Sequence, residues 1–246
     1  MAGLDAGRRA RALSADRIHR AATARTLAAF AIAASVLAPA LSHAAEDASQ
    51  LPVWHVGPFV GVALNSPGGS PWGETPDRDH LFIGVRGSAP VLRWNALSLA
   101  YASEVVPVLI VTNNPTYETT IVSRGGVTRL TQVENGTGPV YGAGFSPFGL
   151  EALMRTGPRT QLFGASAVGV VWFTREVPVA NSRAFNYTID FGGGLLWEYR
   201  AQRRLRFGYM FHHLSNNWTA EENPGLDGNV FYAGWEAAVG GSRRTP

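Results

Sequence analysis

The sequence predicts an all-β fold: eight antiparallel strands closed into a barrel that turns its large apolar side chains outward, as a transmembrane outer-membrane β-barrel does. Three observations carry this. Stretches with period-two alternation, bounded by Gly, Pro, Asn and Asp, recur eight times after residue 45. Where the alternation is clean, one face is aliphatic and aromatic and the other is small or charged, which suits a narrow closed interior. The connections alternate between long polar stretches and short turns, the pattern of external loops and periplasmic turns.

The first 44 residues read as a secretory signal. Arg8, Arg9, Arg11, Arg17, Arg20 and Arg25 make a basic start, "TLAAFAIAASVLAPAL" an apolar run, and Ser42 to Ala44 a small-x-small cleavage site. The run is shorter than the roughly 20 residues that a membrane helix needs. The chain has 21 basic residues, all arginine, and 18 acidic ones. Without the 6 arginines and 2 acids of the leader, the domain expected over 45–246 keeps 15 basic and 16 acidic residues. A near-neutral domain offers no footprint for nucleic acid. The absence of cysteine excludes disulfide and thiolate chemistry.

The strands are expected over 54–65, 81–92, 97–112, 140–154, 161–175, 187–199, 205–215 and 229–239. In the second, Leu81, Ile83 and Val85 oppose Gly84, Arg86 and Ser88. The fifth is apolar on both faces. The sixth is the most telling: Tyr187, Ile189, Phe191, Gly193, Leu195, Trp197 and Tyr199 oppose Thr188, Asp190, Gly192, Gly194, Leu196 and Glu198. The triple glycine at 192–194 fits a crowded barrel interior, since no helix follows it to make a nucleotide loop. In the seventh, Leu205, Phe207, Tyr209 and Phe211 oppose Arg206, Gly208, Met210 and His212. A soluble lipocalin-like barrel would line a cavity with the large apolar set; a barrel in a bilayer turns it outward. Arg86, Asp190, Glu198, Arg206 and Glu236 are then expected to share the interior. Long loops are expected at 66–80, 113–139, 176–186 and 216–228, and short turns at 93–96, 155–160 and 200–204.

The stretch "FHHLSNNWTAEENPGLDGN" at 211–229 holds the candidate chemistry. His213 and Ser215 share the parity of Phe211 and so face outward, roughly 6.5 Å apart along the strand. Asp227 precedes the last strand with the outward parity of Phe231 and Trp235. A hairpin closed by 216–228 brings it beside His213. A hydroxyl, an imidazole and a carboxylate thus converge on one outer spot, the makings of a nucleophile, a base and an orienting acid. The rival reading takes them as polar residues at a strand end. No G-x-S-x-G elbow is present. His212 has interior parity and is expected to be a lumen residue. His55, His80, His212 and His213 show no metal-ligand spacing.

The segment "HLSNNWTAEENPGLD" resembles the active-site segment of the lipid A 3-O-deacylases, the PagL-type outer-membrane esterases. That family has His-x-Ser-Asn at the end of the seventh strand of an eight-stranded barrel, then an Asn-x-Gly turn, then an acid twelve residues beyond the serine. The resemblance implies Ser215 as nucleophile, His213 as general base, Asp227 as orienting acid, Asn216 as part of the oxyanion hole and Asn223 as the turn asparagine. Two positions depart: Asp227 stands where well-known members have Glu, and Trp218 where they tend to have Gly. The implied activity is removal of an ester-linked acyl chain from lipid A in the outer leaflet, without cofactor or metal. A non-catalytic adhesin-like barrel and an esterase of outer-membrane phospholipid are the alternatives, and the sequence leaves open whether the barrel pairs as a homodimer.

Overall fold

The computed structural model describes residues 53–69, 72–124 and 127–240; the expected signal segment lies outside the described residues. Eight strands follow one another: β1 (Trp54–Ala63), β2 (His80–Trp94), β3 (Leu97–Arg124), β4 (Val127–Arg155), β5 (Thr160–Val177), β6 (Arg183–Arg200), β7 (Arg203–Ser215) and β8 (Leu226–Val239). Each pairs antiparallel with its neighbour in the chain, and β1 pairs with β8, so the sheet closes without an edge. Closure matters in a bilayer, where an unpaired strand edge has no water to satisfy it.

The expected loop at 113–139 is corrected by the structure. β3 and β4 are 28 and 29 residues long, about two and a half to three times the roughly 9–11 residues needed to cross a bilayer. β2 pairs with β3 only as far as Val111, and β4 pairs with β5 only from Gly142 onward. Beyond those points the two strands pair with each other alone, from Asn114 opposite Gly138 to Arg124 opposite Val127. The segment is a free-standing hairpin whose ladder satisfies its own backbone. Arg175 of β5 secures its base, donating to the carbonyls of Pro115 at 2.6 Å and Gly138 at 3.0 Å.

The outer wall carries the large apolar side chains: Val60, Val85, Phe145, Trp172, Phe191 and Phe231 are all exposed. The lumen is layered. Phe59, Phe82, Val111, Val140, Phe173 and Leu226 belong to one apolar cluster. A second layer is ionic. Arg86 pairs with Glu104 and lies 3.6 Å from Glu151. Arg206 reaches Glu151 at 2.7 Å and Glu236 at 2.6 Å, and Arg204 reaches Glu236 at 2.5 Å. Three guanidiniums thus face three carboxylates, so the enclosed charge balances, and the Arg206 guanidinium also lies 4.2 Å over the ring of Phe163. Glu198 is a correction: it is exposed, and its Oε1 accepts from the Gln202 amide at 3.3 Å in the β6–β7 turn. Glu104, Glu151 and Arg204 take the places in the lumen network that sequence parity did not assign.

Candidate active site

β7 ends and β8 begins at the barrel end that carries the long connections. Their pairing sets His213 opposite Asp227 and His212 opposite Gly228, while β6 sets Tyr187 opposite Ser215. Asp227 lies inside β8, not ahead of it as the sequence suggested, so the ladder itself fixes its position. His213 Nδ1 and Asp227 Oδ1 are 2.6 Å apart. An ionised carboxylate only accepts, so Nδ1 carries the hydrogen and donates. In the neutral ring Nε2 is then left with the lone pair, as a general base requires. Ser215, half-buried, follows two residues later on the same face.

The pair is enclosed although its parity is outward. Asp227 is fully buried and His213 is 9% exposed. The cover comes from the β1–β2 loop, which sequence reading passed over as a polar connection. Gly73 donates its backbone N–H to Asp227 Oδ2 at 3.0 Å. Trp72 sets its indole edge-on to His213, Phe211 and Phe191, with ring centroids 5.8, 5.6 and 5.4 Å apart. A Cβ at residue 73 would stand 2.7 Å from the Asp227 carboxyl carbon, so glycine is required there. The sequence signal was a lone tryptophan in a stretch of Ser, Pro, Gly and Glu, with nothing to say where it lands.

The turn after the serine is tied internally. The Asn216 N–H donates to Asn223 Oδ1 at 2.9 Å, and Asn216 Nδ2 donates to the Glu222 carbonyl at 2.7 Å. Thr219 donates both its N–H, at 3.2 Å, and its hydroxyl, at 2.8 Å, to the Asn216 carbonyl. Asn217 and Trp218 between them are both left-handed, with φ of 52° and 58°. Consecutive positive φ angles make this turn one in which glycine is at ease and tryptophan is strained. Arg183 ties the turn to β6, donating Nε and Nη2 to the Thr219 carbonyl at 3.0 and 2.6 Å.

His212 points the other way. Its Nδ1 lies 2.6 Å from Asp190 Oδ1 in the lumen, with the Phe82 ring edge-on at 5.0 Å. A concavity at the opposite barrel end, lined by His55, Arg155, Arg159, Arg203 and Arg204, is remote from His213.

No curated protein matches the chain. Among solved structures it is similar to the outer membrane enzyme PagL, at 12% identity over 74% of this chain and 99% of that one, with a TM-score of 0.48. It is also similar to Neisserial surface protein A, at 8% identity over 78% and 99% with a TM-score of 0.46. The attachment invasion locus protein Ail of Yersinia pestis matches at 9% identity over 77% and 98% with a TM-score of 0.38. The family model described as lipid A 3-O-deacylase (PagL) matches residues 106–236, more than half of the sequence and the whole span from His213 to Asp227. The chain belongs to the lipid A 3-O-deacylase (PagL) family.

Proposed function

We propose that the protein is a serine esterase of the Gram-negative outer membrane that removes an ester-linked acyl chain from lipid A, the 3-O-deacylation of lipopolysaccharide. The supporting observation is the 2.6 Å His213–Asp227 pair on the outer wall, two residues from a serine of the same face. A base aimed outward is useful only if its substrate comes from the bilayer.

Ser215 Oγ attacks the ester carbonyl carbon while His213 Nε2 takes its proton. The tetrahedral intermediate collapses, the carbon–oxygen bond to the sugar breaks, and His213 returns the proton to the departing sugar oxygen. Water then releases the fatty acid from the acyl-enzyme by the same steps in reverse roles. Asp227 keeps the imidazole in its productive tautomer and balances the imidazolium. Asn216 is the oxyanion donor we assign: one hydrogen of its amide goes to the Glu222 carbonyl, and the second is available to the developing alkoxide. Asn223 holds that turn in place. The acyl chain lies along the outer aromatic face of β7 and β8, where apolar contact positions the ester.

Mass spectrometry of lipid A from cells with and without the protein tests this, with Ser215→Ala as the control. Loss of one 3-hydroxyacyl group only with the wild-type chain is expected. An unchanged lipid A profile together with release of fatty acid from phospholipid would replace the substrate; no hydrolysis of either would leave a structural barrel.

A further inference from the structure

We infer that Trp72 and Gly73 of the β1–β2 loop form a positioning strap that completes the active site, locking the carboxylate of Asp227 at its second oxygen and holding the His213 ring from its outer side. The inference rests on the reading of His213 and Asp227 as base and orienting acid.

A carboxylate on the outer wall of a membrane barrel is costly unless it is enclosed and bonded. The ladder supplies one partner, the imidazole at Oδ1. The Gly73 N–H supplies a second, from another element, at Oδ2. Bonded at both oxygens to groups on two different elements, the carboxylate has one orientation, and so has the imidazole.

The strap is itself fastened where this geometry needs it. The Glu74 N–H donates to the Pro224 carbonyl at 2.7 Å, and the Thr75 hydroxyl donates to the Gly225 carbonyl at 2.8 Å. Both acceptors lie just ahead of Asp227 in the chain. Gly225 has φ of 65°, and a Cβ there would meet the Trp72 carbonyl at 2.8 Å and His213 Cε1 at 3.1 Å. The close packing of the loop on the dyad therefore runs through two neighbouring glycines, 73 against Asp227 and 225 against Trp72 and His213. On its far side Ser66 closes the loop, its hydroxyl donating to the Thr75 carbonyl at 3.0 Å and accepting from the Arg78 amide at 3.0 Å. Trp72 then presses on the His213, Phe211 and Phe191 rings, between the base and the surrounding lipid, with 48% of its surface left exposed. That remaining face is the wall a bound acyl chain would touch.

The full chain refolded in detergent micelles is assayed with purified lipid A, and the His213 Nδ1–H proton is followed by NMR. Gly73→Ala is expected to lower kcat about 10-fold or more with KM changed less than about 3-fold, and to shift or broaden the Nδ1–H resonance beyond detection. Trp72→Ala is expected to lower kcat and raise KM, while Trp72→Phe, which keeps a ring against His213, restores most of both. Folded Gly73→Ala and Trp72→Ala variants with wild-type kcat, or a Gly73→Ala variant with an unchanged Nδ1–H signal, would overturn the strap. If Gly73→Ala does not fold, the Trp72 pair decides: equal turnover in the Ala and Phe variants would overturn it. A wild-type chain without esterase activity, but with an Nδ1–H signal that Gly73→Ala abolishes, would remove the enzymatic reading and keep the strap.

Discussion

His212 and His213 are neighbours in the chain, yet each faces a different aspartate on opposite sides of the barrel wall: His212 Nδ1 lies 2.6 Å from Asp190 in the lumen, and His213 Nδ1 lies 2.6 Å from Asp227 outside. The two dyads have the same bond length and are separated only by the alternation of a strand. What differs is what each can reach. The lumen pair is enclosed among Phe82 and His80; the outer pair shares its face with Ser215.

That contrast sets the first prediction. His213→Ala and Ser215→Ala are expected to insert and fold normally and, under the proposed mechanism, to lose deacylation by at least about 10³-fold, since each removes a group that the proposal places in the reacting unit. His212→Ala is expected to lower heat resistance while turnover of the folded fraction stays within about 3-fold. Heat-modified gel mobility and acyl release measured on the same preparations check both. Loss of turnover in His212→Ala with none in His213→Ala would reverse the assignment of faces.

Asp227 allows a graded test. Asp227→Asn keeps the shape but gives up the balancing charge and can hold the wrong tautomer; a fall in kcat of about 10⁴-fold is expected. Asp227→Glu keeps the charge. Its extra methylene must displace Gly73, whose Cα side already has no room for a Cβ. Activity between the wild type and Asp227→Asn is therefore expected, although related enzymes carry Glu here: the loop in this chain is built around the shorter acid. A Glu variant as dead as the Asn variant would show that placement outweighs charge.

The outward parity of His213, Ser215 and Asp227 was legible because β7 and the start of β8 run without a bulge, so counting by twos holds from Arg203 to Leu214 and back from Leu226 to Ala237. In β3 it fails. The register shift between Val106 and Leu109 moves the buried set from Ala100, Ala102, Glu104 and Val106 to Leu109 and Val111, so a parity count carried through the whole strand changes face partway. The 113–139 segment was misread because its Thr, Glu and Asn content suggested a loop; both faces of that hairpin lie outside the barrel, so hydrophobic alternation has nothing to report. The Gly73–Asp227 bond spans 154 residues and its donor is a backbone amide of a residue without a side chain. Sequence pattern carries no trace of such a contact.

The lumen network gives a stability prediction. Arg206 is 1% exposed and ion-paired with both Glu151 and Glu236. Arg206→Leu leaves three enclosed carboxylates facing two guanidiniums, with Glu151 keeping only Arg86 at 3.6 Å while Glu236 keeps Arg204, and is expected to destabilise the barrel by about 3–5 kcal/mol. Asp190→Leu leaves only the His212 ring without its partner and is expected to cost less, about 1–3 kcal/mol. Thermal or urea unfolding in detergent ranks the two; equal stability of both variants with the wild type would mean that these groups are not enclosed.

Trp218 occupies a left-handed position, with φ of 58°, in the turn beside Ser215. Asn tolerates that region and a β-branched residue does not. Trp218→Asn is expected to keep activity and to match or exceed wild-type stability. Trp218→Val is expected to lose about 1–2 kcal/mol and, by distorting the Asn216–Thr219 turn, to lower kcat as well. Comparable kcat and stability in the two variants would show that the backbone of this turn is not what positions the oxyanion donor.

The last prediction joins topology to the strap. An epitope inserted at Gly126, between β3 and β4 in the sequence, or at Glu222, in the β7–β8 connection, is expected to bind antibody on intact cells, and one at Gly157, in the short β4–β5 turn, is not. The hairpin tip pairs only with itself, so the Gly126 insertion is expected to leave deacylation intact. An insertion at Pro71 adds chain beside the residue that caps His213 and is expected to be reachable from outside and to reduce turnover, because it loosens the approach of Trp72 and Gly73 to the base. The Glu222 insertion interrupts the segment whose carbonyl holds Asn216 and is expected to reduce turnover too, by a different route. Labelling of the Gly157 insertion on intact cells would invert the barrel and place His213 at the wrong leaflet. Full activity of the Pro71 insertion with normal labelling would show that the β1–β2 loop is dispensable.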